Sequence, residues 1–307
     1  MAAYGKAIEQ LIFTILPMKP KTVAIVSAAL LVSACASNSD AVQYCSATID
    51  WTLEEGLCDP ETAVYLPEHN AWVVSNICTY KANGKGYLSV VSADGRMLIE
   101  RWAENMNAPA GMARYADQLY VVDYTRLHIV DLSGHQLKPQ ASVTTLSLDP
   151  PPGALNDIAI SADGDIYVSD SAHNQVLRVN PDDGATQPLA GEYYRANGLH
   201  LQDSILYIGA DQLWRYDLNS EQVTLADPRA PGDIDGIEAD GQGGWVLSPV
   251  GGSVWHLPEN GNPTVWQDDT ISSTNIGYNP KARQVIVPTG FSQQLIAFTL
   301  QDGPCSE

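Results

Sequence analysis

Five oxygen-bearing residues stand at one place in a repeated pattern. They are Glu61 in PETAVY, Asn156 in LNDIAI, Asn197 in ANGLHL, Asp235 in IDGIEADG and Asn275 in NIGYNP. Carboxylates and amide carbonyls are hard oxygen donors, the set that takes a divalent cation: calcium first, with zinc, manganese or magnesium as alternatives. Gathered without a cation, Glu61 and Asp235 would repel, and one of them would have to take up a proton. Asn-Gly and Asp-Gly pairs are also common turn formers, so any single position could be a turn. Glu61 is not a turn residue, and the shared register of the five favours a site.

That register comes from an internal repeat. Segments opening at Glu61, Ala110, Asn156, Asn197, Asp235 and Asn275 each run through a short apolar stretch, a turn and a Tyr/Trp/Val-rich strand. A third strand follows (YLSVV, RLHIV, QVLRV, QLWRY, SVWHL, QLIAF), and in most units a weaker fourth. Strands of this composition, separated by Asp-Gly, Asn-Gly or proline turns at a period near 40 residues, describe four-stranded β-propeller blades. The fold class is all-β: six antiparallel blades over residues 61–303. The chain ends soon after QLIAFTL, so closure needs a fourth strand from the N-terminal side, and CSATIDWTLEE (Cys45–Glu55) is the candidate. The first residues of the innermost strands then form a ring at one mouth of the central channel.

With the ring in place, the chain resembles the regucalcin/gluconolactonase-like propellers over about residues 57–303. The resemblance implies a metal-dependent lactonase or carboxylic-ester hydrolase. Its metal would be held by Glu61, Asn197 and Asp235, with Asp235 also the catalytic base. Asn156 would orient the substrate or its water, and Asn275 would stand beside it as a second substrate-binding residue. In Asn156-Asp157, Asp157 is read as part of the blade entry, in the place of Gly111, Gly198 and Gly236. One departure concerns the substrate. Gluconolactone-binding members often carry an arginine two residues before the Asn-Asp pair, where this chain has Ala154, so the substrate class stays open. The prolines of DPPPGALND shape a stiff loop at the same mouth. Two other readings of the propeller remain: a ligand- or protein-binding propeller of the NHL type without chemistry, and a strictosidine-synthase-like condensing propeller.

Other residues point elsewhere. Asp123 and Asp170 end second strands and are expected to fix the following turns, and His200 to pack between blades. No G-x-S-x-G nucleophile elbow appears, since Gly251-Gly252-Ser253 lacks the strand–turn–helix setting, and no dinucleotide or Walker glycine pattern is present. The 307 residues carry 16 Lys+Arg against 36 Asp+Glu, a formal charge of −20, which repels phosphate backbones and excludes a nucleic-acid partner. A small-molecule substrate and a monomer are expected.

The N-terminal segment MKPKTVAIVSAALLVSAC has two lysines, an apolar run too short to span a bilayer comfortably, and Val32-Ser33-Ala34-Cys35. It resembles a bacterial lipoprotein signal. Residues 1–34 are therefore expected to be a signal peptide, with Met18 as a possible start, and residues 35–44 a lipidated Cys35 and tether. Residues 45–307 would form the propeller. Lipidation implies a cell-envelope protein, anchored at the outer membrane and facing the periplasm. Cys45, Cys58, Cys78 and Cys305 are an even set in an oxidising compartment, open to three pairings. Blade geometry favours Cys45–Cys305, locking the closure, and Cys58–Cys78, across the two ends of the first hairpin.

Overall fold

The computed structural model describes residues 42–134, 137–267 and 271–301. The expected signal peptide, Cys35 and the Cys45–Cys305 pairing lie outside the described residues. No helix among those described is long and apolar enough to cross a membrane.

Six sheets make six blades. The innermost strands are Pro60–Leu66, Pro109–Tyr115, Leu155–Ile160, Leu199–Gln202, Ile234–Ala239 and Gly277–Asn279. They touch one another in ring order, the sixth against the first. The second strands, such as Ala71–Asn76 and Gln118–Asp123, lie mid-sheet and are buried almost throughout, which is why they read as unbroken apolar runs rather than alternating ones. The cores lie between blades. Leu88 and Trp102 of blade one pack with Leu119 and Val130 of blade two, and Leu127 of blade two with Leu155 and Val168 of blade three.

Closure follows the expectation, with one refinement. Ile49–Leu53 pairs antiparallel with Gln294–Thr299 and completes blade six. Gln43–Ser46, which begins inside the expected tether, is a separate strand that runs parallel to Thr264–Gln267 and adds a fifth strand to blade five. The N-terminal segment thus seals two blades. The Cys58–Cys78 disulfide is formed, with Cα atoms 4.6 Å apart.

Two side-chain devices recur at the mouth. The innermost strands of blades one, two, three and five carry a bulge where register is lost: between Pro60 and Ala63, Pro109 and Met112, Leu155 and Ile158, and Ile234 and Gly236. A serine of the second strand holds the bulge in three of them. Ser75 accepts the Thr62 N–H at 3.0 Å, Ser169 that of Asp157 at 2.8 Å, and Ser248 that of Gly236 at 2.9 Å. The second device is a polar latch at the end of the second strand. Asp123 Oδ1 accepts the N–H groups of Asn107 and Ala108, Asp170 those of Gly153 and Ala154, and Asn76 that of Cys58. These aspartates hold the loop entering their own blade, and also bond Arg126 and His128, or His173 and Gln175, after the strand. Their role is structural, as expected, but reaches further than the following turn.

Candidate metal centre at the propeller mouth

The bulges decide where the ring side chains go. A bulge adds a residue to one strand and re-aims its side chain. Glu61, Asn156 and Asp235 are bulge residues. In blade four Asn197 stands two residues before the strand, ahead of Gly198, and donates its N–H to Gly209 O at 2.9 Å. In blade six Asn275 bridges to Thr62 and closes the ring against blade one. Ala110 holds the sixth place without a donor.

Glu61, Asp235 and Asn275 are buried. The side-chain oxygens Asn156 Oδ1, Asn197 Oδ1 and Asp235 Oδ1 are buried without any hydrogen-bond partner. Orphaned acceptors are uncommon in folded proteins because each carries an uncompensated desolvation cost. Three on one ring, with no donor supplied, are what a cation would satisfy.

Charge gives the same picture. Burial, then the charge of Asp157, push the Glu61 carboxyl up to about 8, against a smaller favourable contribution from the Thr274 side chain. Burial, then Glu61 and Asp157, push Asp235 well above the usual carboxylate range, and the Asn197 side chain opposes the shift. Among the described residues no Lys, Arg or His forms an ion pair with Glu61, Asp157 or Asp235. Buried unpaired carboxylates either protonate or take a cation. No group of three His, Cys, Asp or Glu side chains among the described residues is arranged to hold a metal. The donors that fit are the carboxylates of Glu61 and Asp235 and the amide of Asn197, an oxygen set suited to calcium rather than to a thiolate- or imidazole-seeking ion.

Asp157 is the residue that the sequence reading gave to blade entry alone. Its carboxylate is buried, accepts the Leu199 N–H at 2.7 Å, and faces the Asn275 amide. The signal was its replacement of glycine. At Gly198 a Cβ would meet the backbone of Asp235, and at Gly236 that of Ile276, because the next blade's chain comes close there. Asp157 meets the same approach by hydrogen-bonding to the neighbouring backbone. Burial pushes it up to about 7.

Below the ring the channel holds a cavity of about 170 Å³, lined by Thr62, Asp157, His200, Glu238 and Asn275 among others. Glu238, which the sequence reading did not single out, is pushed up to about 8 by burial and then by Asp157. His200 packs edge-on against Trp245 at 5.3 Å, as a blade-packing residue does, and also lines this cavity. The volume suits a few ordered waters at about 30 Å³ each.

No protein-family model matches the chain. No curated protein sequence matches it either. Solved structures do. One is the X-ray structure of a protein assigned to the gluconolactonases, with a TM-score of 0.60 at 17% identity, covering 86% of this chain and 94% of that one. Another is a gluconolactonase of Xanthomonas campestris from glucose secondary metabolism, with a TM-score of 0.57 at 16% identity, covering 82% of this chain and 87% of that one. The chain has the six-bladed propeller fold of these gluconolactonase-type structures.

Proposed function

We propose that the chain is a divalent-cation-dependent hydrolase of a lactone or carboxylic ester. The cation would sit at the propeller mouth on Glu61, Asn197 and Asp235. The observation that carries the reading is the set of three orphaned buried oxygens, Asn156 Oδ1, Asn197 Oδ1 and Asp235 Oδ1, beside unpaired carboxylates. When bound, the cation supplies Lewis-acid polarisation of the substrate carbonyl.

The chain's own groups do the rest. Asp235, whose carboxylate has a buried oxygen without a partner on the ring, would accept the proton of the attacking water. The water oxygen bonds to the carbonyl carbon, and the ring or ester C–O bond breaks. The proton passes from Asp235 to the departing alkoxide, giving a hydroxy acid or an acid and an alcohol. Asn156 Oδ1 orients the water or the substrate. Asp157 holds the neighbouring bulge residue in place through its bond to Leu199. Burial of the ring excludes bulk water and strengthens each of these interactions.

Calorimetric titration of calcium, zinc and manganese into the metal-stripped propeller tests the reading, followed by a panel of lactones and aryl esters. Binding lost in Asp235→Ala, with turnover lost in Asp235→Asn, is expected. Absence of cation binding overturns the metal site; binding without turnover leaves a ligand-binding propeller. We also propose, from the Val32–Cys35 signature, that the protein is anchored in the cell envelope by a lipidated Cys35. Membrane fractionation of the wild type and Cys35→Ser tests this; equal release of both would refute it.

A further inference from the structure

The connection between the second and third strands of blade one is unlike its counterpart in blade two. It runs from Ile77 to Lys85, whereas Tyr124 and Thr125 alone join the same strands of blade two. Its start is pinned by the Cys58–Cys78 disulfide. Ile77 packs against the core shared by blades two and three, to which Ala110 and Leu155 belong. Tyr80 reaches further, and its hydroxyl donates to the Leu155 carbonyl at 2.8 Å. A blade-one loop therefore reaches past blade two to blade three and fastens one residue before Asn156. The Tyr80 ring meets Tyr124 edge-on, with centroids 5.5 Å apart and planes at 72°. Tyr80 is still 42% exposed. It stands near enough to Glu61, Asp123 and Asp170 for their charges to oppose its ionisation, after burial itself.

The chemistry of this wall is selective. With its hydroxyl engaged by Leu155, Tyr80 offers the mouth an aromatic surface rather than a donor. An edge-to-face pair leaves a ring face open, and a third flat group stacks on such a face in offset geometry. A polyol would instead need donors and acceptors there. We propose that Tyr80 and Tyr124 form the specificity wall of the site and select carbonyl substrates that carry a flat apolar substituent over bare or polyhydroxylated lactones. The proposal rests on the hydrolase reading, and the test separates the two.

Two measurements are made on each variant: kcat/KM for a phenyl-substituted and an unsubstituted γ-lactone, and Kd for the matching non-hydrolysable lactams. The wild type is expected to favour the phenyl compound about tenfold or more in both. Tyr80→Ala should remove that preference, lowering kcat/KM and affinity for the phenyl pair several-fold more than for the unsubstituted pair. Tyr80→Phe, which keeps the ring and loses the bond to Leu155, should retain most of it. If Tyr80→Ala does not fold, Tyr124→Ala and the double variant Cys58→Ser/Cys78→Ser, which unpins the loop, take its place, and each should reduce the preference. A wild type without preference, or a Tyr80→Ala that weakens both compounds equally, overturns the wall. If no lactone is hydrolysed, the hydrolase reading falls and the lactam ratio alone decides: preference lost in Tyr80→Ala upholds the wall, and its absence overturns it.

Discussion

The Asp157 carboxylate accepts the backbone N–H of Leu199 at 2.7 Å, so a side chain of blade three is bonded to the innermost strand of blade four. The bond crosses a blade boundary beside the ring. It lies where a side chain in blades two, four and five would collide with the blade that follows. One carboxylate therefore joins packing to electrostatics.

Asp157→Ala is expected to leave the Leu199 N–H buried without an acceptor and to lower stability by about 1–3 kcal/mol. Asp157→Asn keeps an acceptor and removes a buried charge, so it should be clearly more stable than the alanine variant at pH 8. Urea denaturation at that pH distinguishes them. Equal losses in the two variants would show that the Leu199 bond is not what Asp157 contributes.

Without a cation on the ring, stability should fall as pH rises. Glu61 has a folded-state pKa raised from 4.5 to about 8. Below 4.5 both folded and unfolded chains hold the proton, and the full stability is present. Between 4.5 and about 8 the folded chain keeps a proton that the unfolded chain has released, so each step up in pH favours unfolding. Asp157, raised to about 7, adds to the same slope. In chelator, the melting temperature should drop across this window, and calcium should restore more of it at about pH 8.5 than at about pH 5. A melting temperature in chelator that is flat with pH would contradict the buried, unpaired state of these carboxylates.

The latch aspartates should titrate in the opposite sense. Burial raises the Asp123 carboxyl, but His128 and the N–H groups of Asn107 and Ala108 together outweigh it and hold the group below its ordinary 3.8. Its contribution is present above 3.8 and is lost as pH falls through the lower folded-state value. Asp123→Asn should therefore cost about 2 kcal/mol at neutral pH, with the gap to wild type closing below about pH 3. Thermal melts of both proteins across acid pH check this. A gap that persists undiminished in acid would assign the loss to packing rather than to charge.

The six blades and the mouth ring could be read in the sequence because both follow from a repeat: position in the unit fixes position on the ring. What the repeat could not show were departures from it. Asp157 was hidden because it replaces glycine, and only the approach of the next blade explains why an acid fits there. Tyr80 lies in a loop with no counterpart of its length in blade two, and its contact is with a residue 75 positions away. Gln43–Ser46 has too few residues and too little apolar character to announce a strand, and it pairs only because Thr264–Gln267 offers an open edge. Glu238 faces the channel through strand alternation from Asp235's neighbour, a placement that becomes informative only once the channel wall is known.

Asp235→Asn is the variant that separates catalysis from scaffolding. Asparagine keeps the shape and one carbonyl donor toward a cation, so the ring should assemble and cation affinity should fall without vanishing. It cannot take a proton from water, so turnover of any hydrolysed lactone should drop by about 10²–10⁴. Burial and the charges of Glu61 and Asp157 already oppose the Asp235 carboxylate. Neutralising it should therefore raise, not lower, the melting temperature in chelator at pH 8. Lost activity with gained stability is the expected pair of results, since a residue held at a cost to the fold is held for its chemistry. An Asp235→Asn protein that melts lower and hydrolyses normally would make Asp235 a structural residue and move the base elsewhere on the ring.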